Sequence, residues 1–298
     1  MKDYLSHALS YLTKLIIIPV LAISIPITIY AYTQGGTSTV SINTYTLSNG
    51  EKTVVFQSMY HIGLRSFYQE VGEEMNDYRN KGYRVLFEGI GATDFKPLRK
   101  GEVGYEEAVS KYNSYHDINK KILDDMDKKS VYKESKYTYQ SIELSRYMAY
   151  DDIYADLSYK SLHSLADDKA KEENIKEKSV IEYKNFDTSY SSSSNRLLDN
   201  DKLYIYLENI RDFPVFKFYD YFTLPLLEYF MPTIKLRNEI TINARNKHLV
   251  KHILEEPEKL IYITYGQSHF KGVFDGLKES DPNWKIVTTS KKVIFKSD

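Results

Sequence analysis

The sequence predicts an α/β fold: a mixed central sheet with flanking helices, a helical insertion in the middle of the chain and an N-terminal transmembrane helix. Three observations carry that expectation. Short β-rich runs alternate with amphipathic helical stretches at both ends of the chain, Asn49-Gly50 separates two alternating runs, and an uncharged apolar stretch extends from Leu15 to Tyr32. With 298 residues and 42% hydrophobic content the chain can bury a large core. A net charge of -1 gives no basic surplus, so no nucleic-acid partner is expected. Cysteine is absent, which excludes disulfides, thiolate metal sites and a cysteine nucleophile.

The run LIIIPVLAISIPITIYAY, at about 1.5 Å per residue, reaches about 27 Å, close to the thickness of a bilayer core. Lys2 and Lys14 precede it and no Lys or Arg follows until Lys52. The positive-inside rule then puts the N-terminus in the cytoplasm and the body of the protein outside, tethered to the membrane. A cleaved signal peptide is the rival reading, but Ile29, Tyr30, Ala31 and Tyr32 lack an Ala-x-Ala pattern. Residues 1–34 are thus read as membrane anchor or signal segment and 35–298 as the domain, with its core in 40–100 and 234–298 and the helical insertion in 101–233.

Within the core, Val40 to Leu47 alternates, Asn49-Gly50 signals a hairpin, and Lys52 to Phe56 returns as the partner strand. Ser66, with Gln69 three residues on, reads as a capping box; Phe67, Val71 and Met75 line one helical face, and Gly82 stops the helix. A strand over 83–88 follows, and the β-α-β order predicts a right-handed crossover placing its end beside the end of the first core strand. The insertion is helical, Tyr-rich and polar. Its stretch from Phe213 to Met231 is dense in aromatics but broken by Pro214, Pro225 and Pro232. From Ile234 to Glu255 a helix is expected with Leu236, Ile240, Ala244, Leu249 and Ile253 as its apolar stripe. A strand over 259–265 comes next, then a helix marked by Phe270, Val273, Phe274 and Leu277, and two final strands, 284–289 and 292–295.

Two of these strands lead into the same local frame. Ser58 stands three residues before His61, and Gly266 three before His269. The strand Tyr-Arg-Val-Leu-Phe-Glu ends on Glu88. Ligand sites in open sheets form beyond the carboxyl ends of parallel strands, so these ends can meet in one crevice. Two imidazoles and a carboxylate suit a divalent metal. His248 and His252 have the i, i+4 spacing of zincins, yet Leu249 stands where a zincin needs Glu, so a solvent-facing role near a helix end is expected for them. No Gly-x-Ser-x-Gly elbow, P-loop or dinucleotide fingerprint is present.

A Gly-x-x-His frame after a core strand, a Glu ending the next, an Arg-Asn pair opening a late helix, and a second Gly-x-x-His followed by Gly together resemble the TraB/TIKI family, in the wider erythromycin-esterase-like and ChaN-like group. The matching pieces are Ser58 to His61, Glu88, Arg237-Asn238, and Gly266 to His269 with Gly272. Ser58 stands where the family has glycine, and the resemblance covers residues 40–100 and 234–290. It implies a metal-dependent hydrolase; TIKI members are membrane-tethered proteases that use manganese or cobalt.

On that resemblance His61, His269 and Glu88 hold the cation, Mn²⁺ or Co²⁺ with Zn²⁺ as a third candidate, and a peptide or protein is the substrate. Glu88 is alternatively the general base. Arg237 is expected to stabilise the oxyanion, Asn238 to hold a ligand or the substrate backbone, and Ser268 to donate a supporting hydrogen bond. Two other classes are compatible with the sequence: a ChaN-like module that binds metal or haem without turnover, and an inactive interaction protein using the aromatic stretch as its contact surface.

The anchor reading has a direct check. Protease added to intact cells should digest the body beyond Thr33 while it stays membrane-bound; protection, or a soluble form starting near residue 33, contradicts it.

Overall fold

The computed structural model describes residues 39–89, 97–129, 136–172, 236 and 238–296. The apolar run Leu15–Tyr32, the aromatic stretch Phe213–Met231 and Arg237 lie outside the described residues. Among the described residues no helix is long and apolar enough to cross a membrane. The chain divides into two compact units, one of residues 41–199 and 227–294 and one of 1–40, 200–226 and 295–298. Almost all described residues belong to the first.

Strand β1 (Thr39–Ser48) turns into β2 (Thr53–Met59) through a short loop in which Gly50 has a φ of 94°. The Asn49 side chain accepts the amides of Glu51 and Lys52, fixing the turn, and Leu47 pairs with Val54 across the antiparallel ladder. After β3 (Ile62–Leu64) comes helix α1 (Arg65–Asn80), then β4 (Arg84–Phe87). The expected capping box is not formed. Leu64 is the N-cap with no side-chain cap, Ser66 is exposed, and Gln69 instead donates to Glu143. Extended β3 carries the chain straight into the helix, so Ser66 lies inside the first turn. Phe67, Val71 and Met75 are buried as their spacing predicts, and Gly82 with φ 83° ends the turn.

The middle of the chain forms α2 (Tyr105–Lys129), β5 (Tyr137–Tyr139), α3 (Gln140–Leu144), β6 (Ile153–Tyr154) and α4 (Tyr159–Glu172). It is not purely a helical cover. β6 is an edge strand of the main sheet, and β5 pairs with β3 in a second, two-stranded sheet. Strands this short leave no alternating run to read in the sequence.

The late helix is broken in register. A π-helical segment, Glu239–Ala244, precedes α5 (Arg245–Glu255). The buried positions are Leu236, Ile240, Arg245, Asn246, Leu249 and Ile253, so the step after Ile240 lengthens from four residues to five and Arg245 takes the place expected for Ala244, which is only half-buried. Strand β7 (Leu260–Gly266) follows, then a 3₁₀ turn (Gln267–His269), α6 (Phe270–Ser280) and one continuous strand β8 (Lys285–Lys296) in place of the two short ones expected.

The six-stranded sheet has the order β6-β4-β7-β2-β1-β8. β6, β4, β7 and β2 are parallel, and β1 is antiparallel to β2. The expectation that the His61 and Glu88 strands are neighbours does not hold, because β7 lies between them. This order brings more together than the expected one, since the strand leading to His269 is flanked by both partners. Val54, Phe56, Leu86, Ile261 and Ile263 share a core with Leu249 and Ile253 of α5 and Val273 and Leu277 of α6. On the opposite face Tyr262 stacks on Tyr78 of α1 with ring centroids 4.4 Å apart.

This layering sets a stability contrast. Leu86→Ala, which empties a side chain with 0% exposure, should cost roughly 2–5 kcal/mol, whereas Leu254→Ala on the exposed side of α5 should change stability by no more than about 0.5 kcal/mol. Chemical denaturation of both variants checks it; equal losses contradict the assignment of faces.

Candidate functional site

The parallel register levels three strand ends. Met59 pairs with Gly266, Ser58 with Tyr265, and Phe87 with Thr264, with the Glu88 amide bonded to the Thr264 carbonyl at 3.0 Å. Glu88 therefore emerges beside Tyr265, on the face that Leu86 shares with α5.

Both carboxylate oxygens of Glu88 are held. One accepts from an Arg245 terminal nitrogen at 2.5 Å, and the other from the backbone amide of Gly266 at 2.7 Å. Arg245 is itself buried, forking onto Asp156 at 2.8 and 2.6 Å, with its guanidinium 5.4 Å from the centre of the Tyr265 ring. Burial alone pushes the Glu88 carboxyl up, but Arg245, aided by His61 and His269, outweighs it and holds the group below the usual carboxylate range. Glu88 is ionised at neutral pH.

His269 is buried at 2% exposure, and its Nδ1 lies 2.7 Å from Asn246 Oδ1. An amide oxygen only accepts, so Nδ1 carries the proton and Nε2 keeps its lone pair. Burial, with the charge of Arg245, lowers the imidazole pKa to about 4, leaving it neutral and available as a ligand at neutral pH. Two glycines make room for this. A Cβ on Gly272 would sit 2.1 Å from Asn246 Nδ2, and one on Gly266 would crowd Glu88 Oε2 at 3.2 Å and the His269 ring at 3.3 Å.

His61 is held by its backbone. Tyr68 donates its hydroxyl to the Tyr60 carbonyl at 2.6 Å, and the Gln140 amide donates to the His61 carbonyl at 2.9 Å. The imidazole is exposed at the rim of a cleft of about 450 Å³ that is also lined by Glu88, Gln140, Tyr154 and Thr264. His61 and Glu88 thus share a cleft, and both imidazoles lie within electrostatic reach of Glu88. Among the described residues no three His, Cys, Asp or Glu side chains are grouped tightly enough to form a ready-made metal cage.

The remaining positions separate from this centre in different ways. Ser58 is fully buried with its hydroxyl unpartnered, and Ser268 is exposed. Arg237 lies outside the described residues, and Asn238 is the N-cap of the π segment. The Arg-Asn pair whose side chains reach Glu88 and His269 is Arg245-Asn246, eight residues later. The same dipeptide stands at 237–238 and again at 245–246 in the sequence, and the signal favouring the second is a charge falling in the apolar stripe between Ile240 and Leu249. Asp156 and Gln140 carried no sequence signal. His248 and His252 approach each other, with their Nε2 atoms 3.2 Å apart and both rings half-buried rather than solvent-facing.

Comparison with protein-family models, with known protein sequences and with solved structures finds no match. The likeness to the TraB/TIKI family therefore rests on the residues named above.

Two outcomes follow. Below pH 6.5 the unfolded chain protonates His269 while the folded protein does not until about pH 4, so stability should fall across that window by about 3 kcal/mol and then level off for this group. Glu88, with its depressed pKa, adds a further loss at lower pH, as its own carboxylate is protonated. Thermal melts of wild type and His269→Gln from pH 8 to 4 check this; an unchanged slope in the variant contradicts it. Arg245→Met, which strands two buried carboxylates, should cost about 3–5 kcal/mol by denaturant titration.

Proposed function

We propose that the protein is a membrane-tethered metal-dependent hydrolase acting on peptide bonds, with His61, Glu88 and His269 as the residues that hold a divalent cation. The observation that carries this reading is the state of His269: buried, neutral, with Nδ1 committed to Asn246 and Nε2 left as a donor beside an ionised carboxylate. A histidine oriented through its other nitrogen is the arrangement metal ligands adopt. Each Glu88 oxygen accepts one hydrogen bond in the described contacts and retains a further lone pair, so the donor set fits a hard or borderline cation such as Mn²⁺ or Co²⁺.

What a bound cation supplies is an acidified water and a polarised carbonyl. The chain's own residues set the conditions. Arg245 keeps Glu88 ionised and in place; Asn246 fixes the His269 tautomer; Gly266 brings the backbone close to both. His61, pinned through its backbone with its ring at the cleft mouth, is the ligand that adjusts on binding. Arg245 takes the part the resemblance gave to Arg237 in electrostatics, but its fork is already spent on two carboxylates, so it positions Glu88 rather than meeting substrate. The apolar run Leu15–Tyr32 supports the tether, with the domain outside the cytoplasm.

The test uses full-length protein in detergent against a peptide library, with and without metal after chelation. Cleavage should require Mn²⁺ or Co²⁺ and vanish in His61→Ala and His269→Ala, while His248→Ala changes it little. Asn246→Ala should weaken Mn²⁺ binding by about 10–100-fold in equilibrium dialysis. Stoichiometric metal binding without cleavage would favour the ChaN-like binding module; no metal binding would overturn the reading.

A further inference from the structure

The cleft holds buried polar atoms that the folded chain does not satisfy. Gln140, 8% exposed, is one of its lining residues and its Oε1 lacks a hydrogen-bond partner; Thr264, 0% exposed, is another, and its Oγ1 is likewise unpartnered. Leaving such a group dry is unfavourable, and each one calls for a partner the protein itself does not supply. An acceptor without a donor is matched by a ligand N–H.

Gln140 is well placed to present one. Its own amide is bonded to the His61 carbonyl, so its position is tied to the candidate ligand. It opens α3, whose Glu143 is buried and held by Arg65 at 3.4 Å and Gln69 at 3.3 Å. Met75, Phe87, Leu144 and Met148 give the cleft an apolar part, beside the uncharged Ser141, Ser145, Tyr139 and Tyr154. Glu88 is the one carboxylate among the described lining residues, no Lys or Arg is among them, and both Glu88 oxygens are engaged. An acidic substrate side chain would be desolvated there without a counter-ion, and a basic one would meet only Glu88, whose charge Arg245 already balances. The volume of about 450 Å³ falls within the range of about 300–1,000 Å³ usual for ligand clefts.

We propose that this cleft is a subsite for an uncharged, apolar residue of a peptide substrate, and that the Gln140 side-chain carbonyl positions it by accepting a backbone N–H. The inference rests on the reading of the site as a peptide hydrolase but concerns recognition, which does not need the cation. Gln140 is a positioning residue here; it takes no part in bond breaking.

The experiment is equilibrium binding of capped pentapeptides Ala-Ala-Xaa-Ala-Ala to full-length protein in detergent with chelator present. Xaa is Met, Leu, Tyr, Asp or Lys, and the Met peptide is also made with single backbone N–H groups replaced by ester oxygen. Met, Leu and Tyr peptides should bind at least tenfold more tightly than Asp or Lys. One ester replacement should weaken wild-type binding about tenfold, have no effect on Gln140→Leu, and regain its effect in Gln140→Glu, which keeps an acceptor of the same shape. That rescue distinguishes positioning from a folding defect. Equal binding of all five peptides, an ester effect that persists in Gln140→Leu, or no peptide binding at all would overturn the proposal. Mn²⁺ uptake measured on the same proteins after the chelator is dialysed away reports separately on His61 and His269, so failure of recognition and failure of the metal reading are distinguishable.

Discussion

The guanidinium of Arg245 is the point through which the site is assembled. It leaves α5 in a buried position, forks onto Asp156 just beyond the edge strand β6, reaches Glu88 at the end of β4, and lies over Tyr265 of β7. A buried cation between two carboxylates is costly to desolvate and is retained only where its hydrogen bonds are met, as they are here on both partners. Its charge has opposite consequences for its neighbours: it keeps Glu88 ionised and helps keep His269 neutral. The cation site we propose needs both conditions together; Arg245 supplies the first and adds to burial in the second.

The two histidines are held in contrasting ways. His269 is fixed through its ring, by Asn246, in a space that Gly272 and Gly266 leave clear. His61 is fixed through its main chain, by Tyr68 and Gln140, with the imidazole at the cleft rim. In the reading we propose, a buried donor and an accessible one on a pinned backbone would admit an ion from solvent without rebuilding the sheet. Among the described residues no three His, Cys, Asp or Glu side chains stand close enough together to hold a metal ion.

Local chemistry was legible in the sequence wherever it was local. The Asn49-Gly50 turn, the buried face of α1, and the three strands running into His61, Glu88 and Gly266 all follow from spacing and turn residues. Strand order was not, because nothing near Glu88 says that a strand from the far end of the chain will slide between β4 and β2. The π segment hid Arg245, since a stripe of period 3.6 skips the residue that a widened turn brings inward. Asp156 was hidden by the shortness of β6, and the choice between the Arg237-Asn238 and Arg245-Asn246 pairs could not be made without knowing which turn faces the sheet.

We propose that the ends of β2, β4 and β7 share one cation. Crystals of the protein grown with Mn²⁺ and measured at the manganese absorption edge test it most directly. A single strong anomalous peak is expected, bonded to His269 Nε2 and a Glu88 oxygen, with the His61 ring turned inward to it. A peak between His248 and His252 with none beside Glu88, or no peak at any protein site, would contradict it.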